Sequence, residues 1–131
     1  MNTGHDGGLS TGHGNSCTDM LHRLETMVLM GMDLPLPAVR GQISAGIDLI
    51  VHLGRLRDQS RKVLEICEVD GMKDGEISLR SLYRFQEVDR KGGSIHGFWE
   101  RVAPLKNREK MQRSGHLREL EELYQTEPAG A

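Results

Sequence analysis

Between Ile47 and Val69 the chain reads IDLIVHLGRLRDQSRKVLEICEV, and the fold turns on how that stretch is read. Ile47, Leu49, Val51 and Leu53 alternate with Asp48, Ile50, His52 and Gly54. A period of two belongs to a strand, because successive side chains on extended backbone point to opposite faces. RDQS at 57–60 has the residues of a turn, and the β-branched run over 62–69 follows it as a second strand. KDG at 73–75 is another turn signal, after which Ile77, Leu79, Tyr83 and Phe85 are expected on one side of a third strand. The middle of the chain is therefore an antiparallel meander. Beyond Glu87, DRKGGS at 89–94 reads as a loop, 95–99 as a short further strand and 106–125 as a helix-like but polar segment.

Upstream of the meander the period changes. Met20, Leu21, Leu24, Met27 and Val28 recur at helical spacing on one face, and Ser16 with Asp19 fits a capping box at the start of that helix. Gly31 suits a left-handed helix end, and LPLP at 34–37 forces extended backbone before each proline. Pro37 then fits the first turn of a second helix, which carries Val39, Ile43 and Ile47 four apart and ends near Gly46. Residues 1–16 are rich in Gly, Ser, Thr, Asn and His, as tight turns around a short strand at Leu9 to Gly12 would be. A lone strand ahead of two helices, with no parallel partner before it, is lopsided for a complete domain and points to truncation.

The 131 residues suffice for one domain. Val, Ile, Leu and Phe are frequent enough for a folded core, and Lys plus Arg (17) against Asp plus Glu (19) leaves a net charge of −2. That balance argues against a generally basic nucleic-acid binder. No apolar run approaches the roughly 18 residues of a membrane-spanning helix, and MNTGHDGG has neither the basic stretch nor the apolar run of a leader, so a cytosolic chain is expected. Cys17 and Cys67 form no CxxC pattern and are expected to be small, reduced packing residues. His5, His13, Cys17 and His22 lie close in sequence, but their spacing lacks the paired knuckles of a zinc site, so no metal is expected there. A phosphate cradle of the form GxxxxGK[ST] needs a Gly-Lys pair, which the chain lacks. Independent catalysis is not expected.

Four stretches together carry a resemblance: TGHDGGLSTGHGNS at 3–16, DMLHRLETMVLMGMDLP at 19–35, RGQISAGIDLIVHLGRLRDQSRKV at 40–63 and EICEVDGM at 65–72. In this order and spacing they resemble the type II/IV secretion-system ATPases, in particular the CpaF branch that powers Tad/Flp pilus assembly. The resemblance covers about the first 90 residues. It implies an α/β fold, the C-terminal part of a RecA-like P-loop ATPase domain: two helices and a short strand, then the β-meander. Residues 1–90 would be that incomplete part, and 91–131 a short strand plus polar helical tail. In the family the P-loop, acidic box and Walker B glutamate lie upstream of the histidine box, so Met1 reads as an internal methionine of a longer ancestor.

The site residues follow from the same likeness. His13 resembles the second histidine of the family's box, a sensor of nucleotide state, and His5 the first; both are carried over as catalytic positions. Thr11 and His13 would stand at the carboxyl end of a strand, where ligands of open α/β sheets collect. A neutral imidazole can donate to a phosphate oxygen there. Arg55, Arg57 and Arg61 flank the hairpin resembling the family's RLRDxSRK, and the planar guanidinium suits phosphate across a subunit boundary. The resemblance further implies ATP and Mg2+ in the full-length family, with none expected on the isolated chain. It implies a homo-oligomeric hexameric ring, an inner-membrane pilus or secretion platform as partner, no nucleic acid, and a cytoplasmic place against the inner face of the membrane. The function so implied is ATP-driven pilin assembly or protein export. The alternative is a non-catalytic interaction module that docks on full-length motor subunits.

Overall fold

Ser16 opens the first helix by its side chain: its hydroxyl accepts the Asp19 amide at 3.0 Å, relieving one of the amides a helix start leaves unpaired. Asp19 in turn accepts the Asn15 amide at 2.8 Å and pairs with Arg23 at 3.0 Å. The amide of Asn15 first, and Arg23 after it, hold the Asp19 carboxyl below its ordinary value. The capping box is thus present, with Asn15 taking the reciprocal bond. This helix, α1 (Cys17–Gly31), ends at Gly31 without a left-handed residue; Met32 is extended at φ −139°. Pro35 caps α2 (Leu36–Gly46), and Pro37 lies in its first turn, where a missing amide costs nothing.

The structure, a computed structural model, describes residues 8–125. After the two helices come β1 (Leu49–Arg55), β2 (Arg61–Lys73), β3 (Glu76–Lys91) and β4 (Ser94–Arg101), all antiparallel and paired in chain order. Two-residue turns join β2 to β3 and β3 to β4. Asp74 and Gly75 have φ of 53° and 82°, and Gly92 and Gly93 have φ of 56° and 82°. Positive φ at both central residues is the twist-compatible hairpin turn that Asp-Gly and Gly-Gly favour. The loop read over DRKGGS is therefore mostly strand, with only Gly92 and Gly93 turning, and the short strand read at 95–99 becomes the eight residues of β4.

Two further readings from the sequence need correction. Residues 8–14 are irregular, so Leu9 to Gly12 is not a strand. A four-residue strand needs a neighbour to take its amides and carbonyls, and no described strand lies beside it. The second correction concerns β3. Cys67 pairs with Ser81 while its neighbour Ile66 pairs with Tyr83, so a bulge at Leu82 moves the strand by one residue. Ile77, Leu79 and Ser81 face the helices, whereas Tyr83 and Phe85 face away from them.

That geometry sets the core. Leu21, Val39 and Ile43 are buried between the helices and the sheet, with Leu24, Val28, Leu34, Ile47, Ile50, Ile77 and Leu79 packed around them. The other sheet face is also apolar. By register it carries Leu49, Val51 and Leu53 of β1, Val63 and Ile66 of β2, and Phe85, whose ring lies tilted against that of Trp99 with centroids 5.4 Å apart. The C-terminal segment crosses part of this face: the buried Glu68 accepts the amides of Lys106 and Asn107, each at 2.8 Å. Two short helices follow, α3 (Glu109–Arg113) and α4 (Leu117–Gln125), whose Tyr124 hydroxyl accepts the Leu105 amide at 2.7 Å. Leu49, Val51, Leu53 and Trp99 remain exposed, Leu53 by 66%. No helix among the described residues is long and apolar enough to cross a membrane.

Candidate functional site

The β1–β2 hairpin tip is built by Asp58. Its carboxylate accepts the hydroxyl and amide of Ser60, and across the sheet the amide of Ile95 at 2.7 Å. The Ser60 hydroxyl, then the Ile95 and Ser60 amides, hold the Asp58 carboxyl down at about 2. Around this clamp stand the three arginines. Arg57 pairs with Glu87, Arg55 donates to Gln59 at 3.4 Å, and Arg61 lies opposite Arg55 on the paired strand with its side chain exposed. Because the folded Asp58 value is depressed from 3.8, its stabilising contribution is complete above about pH 4 and disappears as pH falls through about 2. Thermal melts of wild type and Asp58→Asn over that window should show the acid-side loss reduced in the variant; parallel curves would remove Asp58 from the clamp.

Thr11 and His13 lie on the irregular segment ahead of α1 and are exposed. Gly12 and Gly14 hold that segment against Met20: a Cβ on Gly14 would come 3.2 Å from the Met20 amide nitrogen. Among the described residues no hydrogen bond or ion pair joins Thr11 or His13 to Arg55, Arg57 or Arg61. Arg55 is five residues along β1 from Ile50, which sits over the start of α1, a distance of about 17 Å on extended backbone. The box and the hairpin are thus two separate surfaces of this chain. His5 lies outside the described residues.

A third grouping was not foreseen. The thiol of Cys17, the first residue of α1, donates to the Ile50 carbonyl and lies beside Cys67 and Glu65 of β2; the two sulfurs and a Glu65 carboxylate oxygen are all within 4.8 Å of one another. Glu65 also accepts the Ser81 hydroxyl at 3.1 Å and meets Arg84 at 3.4 Å. Hydrogen bonding to Cys67, then burial and the negative charge of Glu65, push the Cys17 thiol up. Burial raises the Glu65 carboxyl, but the hydrogen bonds from Ser81, Cys17, Cys67 and Arg84 outweigh it and leave it below the ordinary range. Fifty positions separate the two cysteines in sequence. Only the packing of α1 over β1 and β2 joins them, although Glu65 and Cys67, two apart on a strand, necessarily share a face.

Beside α1 a shallow groove of about 260 Å3 is lined by Thr18, His22, Glu25, Arg40 and Glu76 among others. Arg40 fills its floor structurally, binding Glu25 at 3.0 Å and the Gly75 carbonyl at 3.0 Å, and so ties both helices to the β2–β3 turn.

In sequence the chain is similar to proteins of conjugal transfer. One is the "Probable conjugal transfer protein TrbB" of Sinorhizobium fredii, 35% identical over 80 residues, which are 61% of this chain and 23% of the relative. Another is the "Conjugal transfer protein TrbB" of Rhizobium radiobacter, 29% identical over 86 residues, 66% of this chain and 25% of the relative. The chain thus spans about a quarter of the length of these curated relatives. No protein-family model matches it. These relatives overturn the assignment to the CpaF branch of Tad/Flp pilus assembly. The short runs TGH, RLE and RLRDQSRK carried that assignment, and runs of a few residues each do not fix a branch. At its coarsest, the secretion reading agrees with relatives that serve conjugal transfer.

Proposed function

We propose that this chain is a segment of a conjugal-transfer protein, the part that reports nucleotide state within an ATP-driven motor. The observation that carries the reading is the 35% identity over 80 residues to a conjugal transfer protein more than four times as long as the match. Two features of the chain support it. The sheet presents an exposed apolar face at Leu49, Val51, Leu53 and Trp99, a surface suited to packing against more of a larger protein. Thr11 and His13, exposed ahead of α1, are free to meet a phosphate supplied from elsewhere.

In this reading the phosphate cradle belongs to the rest of the motor, since the chain has no GxxxxGK[ST]. The His13 imidazole N–H donates to the terminal phosphate, and the Thr11 hydroxyl supplies a second donor. Arg55 and Arg61 reach toward phosphate across a subunit boundary in a homo-oligomeric ring, while Arg57 is held by Glu87 and steadies the hairpin. A membrane-bound secretion platform is the partner that such a ring would drive from the cytoplasmic side.

The DNA upstream of Met1 tests this reading directly. A continuous frame encoding a phosphate cradle is the expected finding. A separate ribosome-binding site behind stop codons in that frame would contradict it and favour a free-standing module that docks on motor subunits.

A further inference from the structure

We propose that Cys17, Glu65 and Cys67 form a binding site for one zinc ion, which fastens the start of α1 to β2. The site is independent of the motor reading, because it rests on three side chains of this chain alone. Their donor atoms already lie within 4.8 Å of one another. A tetrahedral zinc with sulfur at about 2.3 Å and oxygen at about 2.1 Å needs neighbouring ligand atoms roughly 3.5–3.8 Å apart, so closing on the ion asks for movements of about 1 Å or less per side chain. Rotamer adjustment of the side chains supplies that without moving backbone.

The donor set selects the metal. Two sulfurs disfavour Mg2+ and Ca2+, which take oxygen ligands, and two sulfurs with a carboxylate suit zinc among borderline cations. Burial is that of a metal centre with one access side: Cys17 is 1% exposed and Cys67 3%, whereas the Glu65 side chain keeps 22% of its surface. Water fills the fourth position from the Glu65 side. Ser81 and Arg84 already bond Glu65, as outer partners that fix a ligand's orientation do. A Cys17–Cys67 disulfide is the other chemistry two adjacent thiols allow, but it leaves no role for the Glu65 carboxylate, which has an oxygen within 4.8 Å of both sulfurs.

The consequence is mechanical. Cys17 follows the segment carrying Thr11 and His13 directly, so metal binding there anchors the segment's downstream end to the sheet.

The test is a cobalt titration of the reduced, metal-free chain. Cobalt should bind in one equivalent with a thiolate-to-cobalt charge-transfer band in the near ultraviolet, and zinc should displace it. Zinc should also protect both thiols of the unaltered protein from alkylation. Ser81→Ala, which leaves all three ligands in place, should weaken zinc about 10- to 100-fold. Cys17→Ser and Cys67→Ser should each cut the charge-transfer band sharply. Cobalt bound without the band, as histidine ligation would give, overturns the proposal. So does a band that survives in the Cys17→Ser/Cys67→Ser variant, or thiols that alkylate equally fast with and without zinc.

Discussion

On the proposed motor reading, His13→Ala is expected to lower ATP turnover about 100- to 1,000-fold while leaving nucleotide affinity nearly unchanged. A donor that strengthens its bond to phosphate only as charge builds in the transition state acts on the rate and not on ground-state binding. The magnitude is that of removing one preorganised donor from an oxyanion site, about 2.7–4 kcal/mol. Single-turnover hydrolysis alongside equilibrium nucleotide binding separates the two quantities. His5→Ala is the companion measurement: a comparable loss would make the two histidines one functional unit. Unchanged rates in both variants would reduce the box to a structural turn.

Glu68→Ala should have the largest effect on stability, about 3 kcal/mol, which for a domain of this size lowers the melting temperature by on the order of 10 °C. Glu68 is 3% exposed, and its two oxygens each accept one backbone amide, from Lys106 and Asn107. Truncation removes two charge-assisted bonds and leaves two amides without their acceptor, a penalty that lost packing alone would not produce. The neighbouring pair between Lys106 and Asp70, at 2.9 Å, is the control. Its lysine is well exposed, so Asp70→Ala should cost no more than about 1 kcal/mol. Urea unfolding of the three proteins decides the matter. If Glu68→Ala matched Asp70→Ala, the C-terminal segment would not be held to the sheet by this carboxylate.

The stability prediction also shows where the sequence could not be read. Glu68 sits within the second strand with nothing in its spacing to mark it; its partners are 38 and 39 positions away, in a segment read only as polar and helix-like. Local signals did well where local physics decides: Ser16 and Asp19 cap α1, Pro37 enters α2, and Asp74-Gly75 turns the second hairpin. The bulge at Leu82 defeated the simple alternation, because one extra residue exchanges the faces of everything beyond it and leaves no trace in composition. The meeting of Cys17 with Glu65 and Cys67 was equally hidden, since it depends on where α1 crosses the sheet. Leu9 to Gly12 failed for the opposite reason: its composition allows a strand, but no described neighbour completes the ladder.

The measurement that bears most directly on the proposed role in conjugal transfer is the frequency of DNA transfer from donor cells whose natural gene carries an in-frame deletion of the stretch encoding residues 17–101. Transfer should fall to background and return when the intact gene is supplied in trans, with donor growth unchanged throughout. Transfer at the wild-type frequency from the deleted donor would contradict the account.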